Sequence, residues 1–146
     1  MKNIQFVCVG NCCRSQMAEG FARAYGGDVL NAESAGLCPT STIARETKEA
    51  MLEKNIDISA QFPKLFDPVE SKRFDLIVNM SGFELPPPTS PPVQTWEVED
   101  PFGASPRIYE RVCQDIENRV MRLILELRRE ENGKRQARFG PGIASR

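Results

Sequence analysis

The apolar residues of the chain follow two kinds of pattern. Short segments rich in apolar residues predict buried strands at residues 4–8 and 74–80 and two further strands at residues 29–35 and 93–98. Apolar positions spaced by three or four predict amphipathic helices at residues 16–25, 42–55 and 106–129. Because strands and helices alternate along the chain, the pattern indicates an α/β domain with a parallel sheet.

Two further stretches lack these patterns. Residues 84–92 contain five prolines, which predicts a loop. Residues 129–146 are basic, contain several glycines and carry few apolar side chains, which predicts a disordered tail. We therefore expect one domain at residues 1–128. A chain of 146 residues buries roughly two thirds of the surface that its unfolded form exposes, so it needs no disulfide or metal to fold.

Charge and cysteine content narrow the classes of function. The formal net charge is -1, which argues against nucleic acid and membrane surfaces as partners. No apolar run is long enough to span a bilayer, and the one at residues 4–8 is too short for an export signal. We therefore expect a cytoplasmic protein, a monomer or weak dimer, whose five cysteines are reduced. The cysteines lack the paired spacing of a zinc site, and no metal is expected.

The chain contains no histidine. This excludes Ser-His-Asp and Cys-His catalysis and histidine-ligated zinc. A nucleophile in this chain must be activated by backbone dipoles, hydroxyl groups or positive charge.

The segment that joins the first predicted strand to the first predicted helix has the composition of an anion site. It comprises, in order, Cys8, Val9, Gly10, Asn11, Cys12, Cys13, Arg14 and Ser15. A glycine-containing turn can direct successive N–H groups into one concave nest, and a helix N-terminus adds partial positive charge. Arg14 adds a planar fork of donors for two oxygens of a tetrahedral anion. Asn11 is expected to brace the turn, and Ser15 to cap the helix or to donate to the Cys8 sulfur.

This setting distinguishes Cys8 from the other cysteines. Cys113 also stands six residues before an arginine, Arg119, but this pair lies inside a predicted helix whose amides are already bonded. Cys113 is therefore interpreted as a buried helix residue. The positive field around Cys8 favours its thiolate, the nucleophilic form of cysteine. The alternative for Cys8 is an ordinary buried core cysteine.

Residues 8–20, read as C-V-G-N-C-C-R-S-Q-M-A-E-G, resemble the phosphate-binding loop of the low-molecular-weight protein tyrosine phosphatases and their thiol-coupled arsenate reductase relatives. Weaker matches follow in the family's order at residues 34–36, 55–59, 74–80 and 100–101. The resemblance extends to about residue 128. It implies a three-layer α/β domain with a four-stranded parallel sheet, with Cys8 as nucleophile and the loop from Val9 to Ser15 as phosphate site.

The same resemblance gives Asp100 the role of general acid. A thiolate that attacks a phosphate ester needs an acid for the leaving oxygen, and without histidine a carboxyl group is the natural choice. From the residues alone, Asp100 before Pro101 is more simply a turn residue.

Two departures from the family pattern affect the choice of reaction. Phe102 and Gly103 stand where the phosphatases have tyrosines, which weakens the case for phosphotyrosine. The thioredoxin-coupled reductases carry two more cysteines where this chain has Ser81 and residues 84–92. Arsenate reduction would then require Cys12, Cys13 or an external thiol donor, namely a small-molecule thiol, glutaredoxin or thioredoxin.

In the phosphatases a cysteine at the position of Cys13 forms a reversible disulfide with the nucleophile. Cys12 and Cys13 are therefore redox candidates or loop filling, and Cys38 is interpreted as structural.

The leading hypothesis is hydrolysis of phosphomonoesters such as phosphotyrosine through a cysteinyl-phosphate on Cys8, with Arg14 and Asp100 as further catalytic residues. It predicts a phosphorylated protein or a small phosphomonoester as substrate and no cofactor. The alternative is arsenate reduction at Cys8, with arsenate as substrate. A third hypothesis is a non-catalytic module that binds anions or a partner.

Overall fold

A computed structural model describes residues 1–139 of the chain. Its strands are β1 (Lys2–Cys8), β2 (Leu30–Gly36), β3 (Leu76–Asn79) and β4 (Val93–Thr95). Its α-helices are α1 (Arg14–Tyr25), α2 (Arg45–Glu53) and α3 (Pro106–Phe139), and a short 3-10 helix spans Glu70–Arg73. The four strands form one parallel sheet in the order β2-β1-β3-β4, which confirms the predicted α/β fold.

The register of the sheet brings several strand ends together. Cys8, the last residue of β1, pairs with Gly36 at the end of β2. Val7 pairs with Asn79, the last residue of β3, and the amide of Met80 donates to the carbonyl of Val7 at 2.7 Å. Since ligands of open parallel sheets bind beyond the carboxyl ends of the strands, this edge is where a site is expected.

The two faces of the sheet are covered differently. On one face, side chains of β1 such as Phe6 pack with all three long helices, including Met17, Met51 and Ile116. On the other face, Val7 packs in a smaller cluster with Ala35, Phe66 and Ile77. The third layer is therefore formed by the irregular segment around Phe66, not by a second group of long helices.

The last helix is longer than the sequence pattern predicts. The expected disorder from residue 129 is wrong for residues 129–139, which continue α3 as far as Phe139. These residues are rich in helix formers, and Glu130 and Glu131 stand four positions before Lys134 and Arg135, a spacing that stabilises an exposed helix. Residues 140–146, the rest of the predicted tail, lie outside the described part of the chain. Among residues 1–139, no helix is long and apolar enough to cross a membrane.

Candidate active site

Cys8 lies at the C-terminal end of β1 with its side chain almost fully buried. Its Sγ is 2.9 Å from the Oγ of Ser15. The prediction that Ser15 caps α1 is wrong, because the helix begins one residue earlier, at Arg14, and its first turn has no side-chain cap. The Ser15 hydroxyl instead accepts a hydrogen bond from the side-chain amide of Asn11 at 2.7 Å, which leaves its proton free for the Cys8 sulfur.

Asn11 holds the turn between β1 and α1 in shape. Its φ of 50° lies in the left-handed region, which asparagine tolerates better than most residues. Its side-chain oxygen accepts a hydrogen bond from the backbone N–H of Lys64 at 2.9 Å, and its backbone oxygen accepts one from the Gln16 side chain at 3.0 Å. Asn11 therefore braces the loop from within and ties it to the segment that covers the second face of the sheet.

The buried carboxylate of Glu19 stabilises the segment whose Lys64 amide donates to Asn11. Glu19 accepts a hydrogen bond from Ser34 at 2.6 Å and pairs with Arg23 at 2.8 Å. The amine of Lys64 lies 3.9 Å from the same carboxylate, and burial lowers the pKa of that amine. The charge pair fixes the position of Lys64, whose backbone donates to Asn11.

The carbonyl groups of the loop are paired along its outer side. Those of Cys8, Val9 and Gly10 accept hydrogen bonds from the amides of residues 37, 38 and 40 at 2.8–3.1 Å. Within the described part of the chain, no backbone amide of residues 9–15 donates to a protein acceptor. A loop with its carbonyl groups paired and its amides unpaired presents donors to one concave space, which is the arrangement of an anion nest.

Arg14 is buried and clamped beside this nest. Its Nη1 donates to the carbonyls of Met80, at 2.6 Å, and Val98, at 3.2 Å. Its Nη2 lies 3.5 Å from a carboxylate oxygen of Asp100. The Nε has no partner among the described residues although it is inaccessible to solvent. A buried, unpaired donor of a fixed positive charge is suited to binding an oxyanion.

Asp100 follows β4 and lies beside Arg14 in the wall of the site. One carboxylate oxygen accepts a hydrogen bond from the amide of Phe102 at 3.1 Å, which forms the turn expected of an Asp before proline. The side chain is 52% exposed. Asp100 is therefore accessible to solvent and also lines the site.

A cavity of about 200 Å³ joins these groups. It is lined by Cys8, Val9, Gly10, Cys12, Cys13 and Arg14 from the loop and by Cys38, Thr40, Asp100 and Phe102 from later segments. Asn11 and Ser15 lie behind the loop and act through it. A larger groove of about 950 Å³ opens beside Arg14 between residues 79–89 and 93–99, but Cys8 does not line it. The smaller cavity is therefore the candidate active site.

The position of Cys38 differs from the structural role that the sequence suggested. Its side chain is exposed and lines the cavity, and its amide donates to Val9 at 2.8 Å. The available signal was its place just after a strand next to β1, since neighbouring parallel strands end at the same edge. The same reasoning would have found Thr40.

The adjacent thiols of Cys12 and Cys13 lie 3.6 Å apart. The hydrogen bond from Cys12 lowers the pKa of Cys13 to about 7, while the same bond raises the pKa of Cys12. The Sγ of Cys13 also lies 3.3 Å from the hydroxyl of Tyr109 on α3. Cys113 is buried in α3 as predicted, and its burial raises its thiol pKa to about 11.

Ser81 occupies the position where a reductase cysteine was sought. It is buried, its hydroxyl donates to Asn79 at 2.7 Å, and it accepts from the amide of Phe83 at 3.1 Å. It therefore shapes the turn after β3. Among residues 1–139, no cluster of three or more cysteine, aspartate or glutamate side chains is arranged to hold a metal ion.

A sequence profile described as "Low molecular weight phosphotyrosine protein phosphatase" matches residues 3–85, more than half of the chain. This chain belongs to the low molecular weight phosphotyrosine protein phosphatase family. The match confirms the resemblance drawn from residues 8–20 and includes the whole loop that carries Cys8 and Arg14.

The proteins that this chain is similar to are named for different activities. A protein named "Glutaredoxin arsenate reductase" from Synechocystis sp. is 36% identical over 132 residues, which cover 87% of this chain and 99% of the relative. A solved structure of an arsenate reductase in its phosphate-binding state is 33% identical, with a TM-score of 0.80 and coverage of 87% of this chain and 99% of that one. The YwlE arginine phosphatase from Geobacillus stearothermophilus, at 22% identity, shares the fold with a TM-score of 0.81, over 91% of this chain and 97% of that one.

Proposed function

We propose that this protein is an arsenate reductase that uses Cys8 as nucleophile and an external thiol as reductant. The observation that carries the proposal is the nest of unpaired amides and the free Arg14 Nε around the Cys8 sulfur. The similarity to arsenate reductases over most of the chain supports it. The comparisons thus favour the alternative drawn from the sequence over its leading hypothesis.

In the first step the Cys8 thiolate attacks the arsenic of arsenate. A sulfur–arsenic bond forms and one oxygen leaves as water after protonation. The loop amides and Arg14 bind the remaining oxygens and stabilise the charge that they carry in the transition state. Ser15, 2.9 Å from the sulfur, stabilises the thiolate before the attack.

In the second step a donor thiolate attacks the Cys8 sulfur. The sulfur–arsenic bond breaks, its electron pair stays on arsenic, and trivalent arsenite is released. Cys8 is left in a mixed disulfide, which a second thiol reduces. Because Ser81 and residues 84–92 carry no thiol, the donor is Cys12, Cys13 or an external thiol, and this proposal assigns the step to an external thiol. A small-molecule thiol, glutaredoxin or thioredoxin can fill this role.

A second candidate function is hydrolysis of phosphomonoesters at the same cysteine. Asp100 favours it, since its exposed carboxyl group lies 3.5 Å from Arg14 at the wall of the cavity. Asp100 would protonate the leaving oxygen and then activate water, while Arg14 holds the phosphate. Phe102 on the same wall offers an apolar surface to a substrate side chain.

Parallel kinetics separate these functions. We would measure arsenate-dependent oxidation of glutathione, glutaredoxin and thioredoxin, and hydrolysis of an aryl phosphate, with the same preparation. The proposal predicts arsenate turnover that requires a thiol donor and disappears in Cys8→Ser. Cys113→Ala is the matched control, because Cys113 has the same spacing to an arginine but lies in α3. Fast ester hydrolysis with no arsenate turnover would support the second candidate, and no turnover of either substrate would leave only a binding module.

A further inference from the structure

Cys12 and Cys13 form a pair of thiols that neither proposed reaction uses. They are adjacent in sequence, and their Sγ atoms are 3.6 Å apart. Both side chains are buried, at 6% and 2% exposure. The separation is longer than a disulfide bond, so the thiols are reduced but already directed toward each other.

The two sulfurs have different surroundings. A Cβ at Gly10 would lie 3.1 Å from the Cys12 Sγ, so this sulfur packs against the loop backbone. Cys12 also lines the cavity that Cys8 lines, as Thr40 does. The Sγ of Cys13 lies on the helix side, 3.3 Å from the Tyr109 hydroxyl. Both residues line the cavity, so a ligand that enters it can contact both thiols.

The protonation of the pair suits a thiophilic ligand. Hydrogen bonding to Cys12 lowers the pKa of Cys13, and the same contact raises the pKa of Cys12. The contact between the sulfurs therefore favours Cys13 as the thiolate and Cys12 as the protonated partner. One thiolate is available to attack, and the neighbouring thiol supplies a proton for the group that leaves.

The coordination number limits the choice of ligand. A structural zinc ion needs four ligands, and residues 1–139 hold no cluster of even three suitable side chains. Trivalent arsenic is soft, binds thiolates, and is satisfied by two sulfurs and one oxygen or carbon. Two buried thiols in contact match that requirement, and the anion nest beside them matches the oxygens.

We propose that Cys12 and Cys13 form a dithiol site for trivalent arsenic inside the active-site loop. Arsenous acid reacts with the two thiols by forming two As–S bonds and releasing two molecules of water, and no atom changes oxidation state. The site is a property of the two thiols and exists whatever reaction Cys8 performs. Its biological meaning rests on the proposed function, because arsenite is then the product released next to Cys12.

Arsenic held by this pair would change turnover. Since Cys12 lines the same 200 Å³ cavity as Cys8, a bound arsenic occupies part of the space that the substrate needs. The reaction should therefore slow as arsenite accumulates, and Cys12→Ser should remove this inhibition. The same inhibition should appear with an aryl phosphate if the protein is a phosphatase.

Phenylarsine oxide is a suitable probe, because it reacts with two thiols to give one adduct and one water. We would titrate it against the reduced full-length protein and follow intact mass, with excess monothiol present to remove single As–S bonds. The wild type should bind one equivalent that a dithiol releases. Cys12→Ser and Cys13→Ser should each weaken this binding by at least about 100-fold, the usual loss when two linked bonds become one. Cys113→Ala should bind as the wild type does, because Cys113 does not line the cavity.

Three results would overturn the proposal. The first is a wild type that forms no adduct stable to monothiol. The second is loss of the adduct in Cys8→Ser with retention in Cys13→Ser, which would place the arsenic between Cys8 and Cys12.

The third result comes from the wild type alone. Alkylation of the denatured adduct should spare Cys12 and Cys13 and modify the other cysteines. Any other pair of spared cysteines contradicts the site. This last measurement decides the matter even if a serine variant does not fold. A wild type that binds the probe but turns over no arsenate would contradict only the proposed function.

Discussion

The Sγ of Cys8 and the Oγ of Ser15 lie 2.9 Å apart, and Asn11 donates to the same hydroxyl at 2.7 Å. Because the Ser15 oxygen is already an acceptor, its proton is directed to the sulfur. The hydroxyl thus stabilises Cys8 as a thiolate when it attacks, and again when it leaves the covalent intermediate. A hydrogen bond to a charged group contributes more than one between neutral groups.

Replacing Ser15 by alanine should slow both steps at the sulfur. A hydrogen bond to a charged group contributes about 1.5–3 kcal/mol, which corresponds to a roughly 10- to 100-fold loss of kcat. Affinity for inorganic phosphate should change little, since the loop amides and Arg14 make that contact. Ser41→Ala, at an exposed position of a later loop, is the control. An unchanged kcat in Ser15→Ala would show that the contact has no catalytic role.

The replacement of Asp100 by asparagine should distinguish two kinds of ester. If Asp100 is the general acid, esters with poor leaving groups should react about 10²- to 10⁴-fold more slowly, while activated aryl esters should be less affected in the step that phosphorylates Cys8. The neighbouring Glu99 is a matched control, because it is also exposed but pairs with Arg111 instead of Arg14. Glu99→Gln should hydrolyse both kinds of ester at the wild-type rate. Equal slowing by the two variants would point to a general effect of charge and not to proton transfer.

The lowered pKa of Cys13 predicts a dependence of stability on pH. Its pKa in the folded state, about 7, is below the ordinary thiol value of 9.0, mainly because of the hydrogen bond from Cys12. Between pH 7 and pH 9 the unfolded chain binds more protons than the native protein, so the free energy of unfolding should increase with pH over this range. This contribution is lost when the pH falls below about 7. The expected contribution is of the order of 2 kcal/mol.

Urea unfolding under reducing conditions at pH 7 and pH 9 measures this contribution. Cys13→Ala should lose most of the increase that the wild type shows. Cys113→Ala should show at least the wild-type increase, because burial raises the pKa of Cys113 and a thiol with a raised pKa adds no stability as pH rises. The same increase in Cys13→Ala as in the wild type would exclude Cys13 as its source.

The sequence predicts those parts of the site that depend on local chemistry. A strand, a glycine-containing turn and an arginine at a helix start are neighbours in the chain, and residues 8–15 were sufficient to indicate an anion site with Cys8 at its centre. The alternation of apolar runs likewise predicted the α/β class and the parallel sheet that the structure shows.

Contacts between distant segments were beyond this reasoning. The clamp on Arg14 comes from the carbonyls of Met80 and Val98, and the brace on Asn11 comes from Lys64. Such contacts depend on how loops pack after the sheet has formed. The misplaced cap at Ser15 arises within the loop itself, since Asn11 and Cys8 take up the hydroxyl that the capping rule assigns to the helix. The extension of α3 beyond residue 129 was missed because the prediction followed apolar residues alone. Its last turns are stabilised by helix propensity and charge pairs instead of apolar packing.

Gly36 offers the most direct test of how the loop is held. It pairs with Cys8 at the end of β2, and a Cβ at this position would lie 2.7 Å from the carbonyl oxygen of Val9 and 2.8 Å from the backbone nitrogen and the Cβ of Asn11. Backbone atoms cannot move aside as a flexible side chain can, so Gly36→Ala must displace the loop or the strand. We expect a loss of about 3 kcal/mol of stability, at the upper end of the usual cost of overpacking, and at least about tenfold weaker binding of inorganic phosphate.

Gly133→Ala is the control, because no atom lies within 4 Å of its Cβ and it sits inside α3, where alanine should stabilise by roughly 0.5–1 kcal/mol. Thermal unfolding and phosphate titration calorimetry measure both effects. A Gly36→Ala protein that melts and binds phosphate as the wild type does would mean that the strand next to β1 does not set the shape of the anion nest.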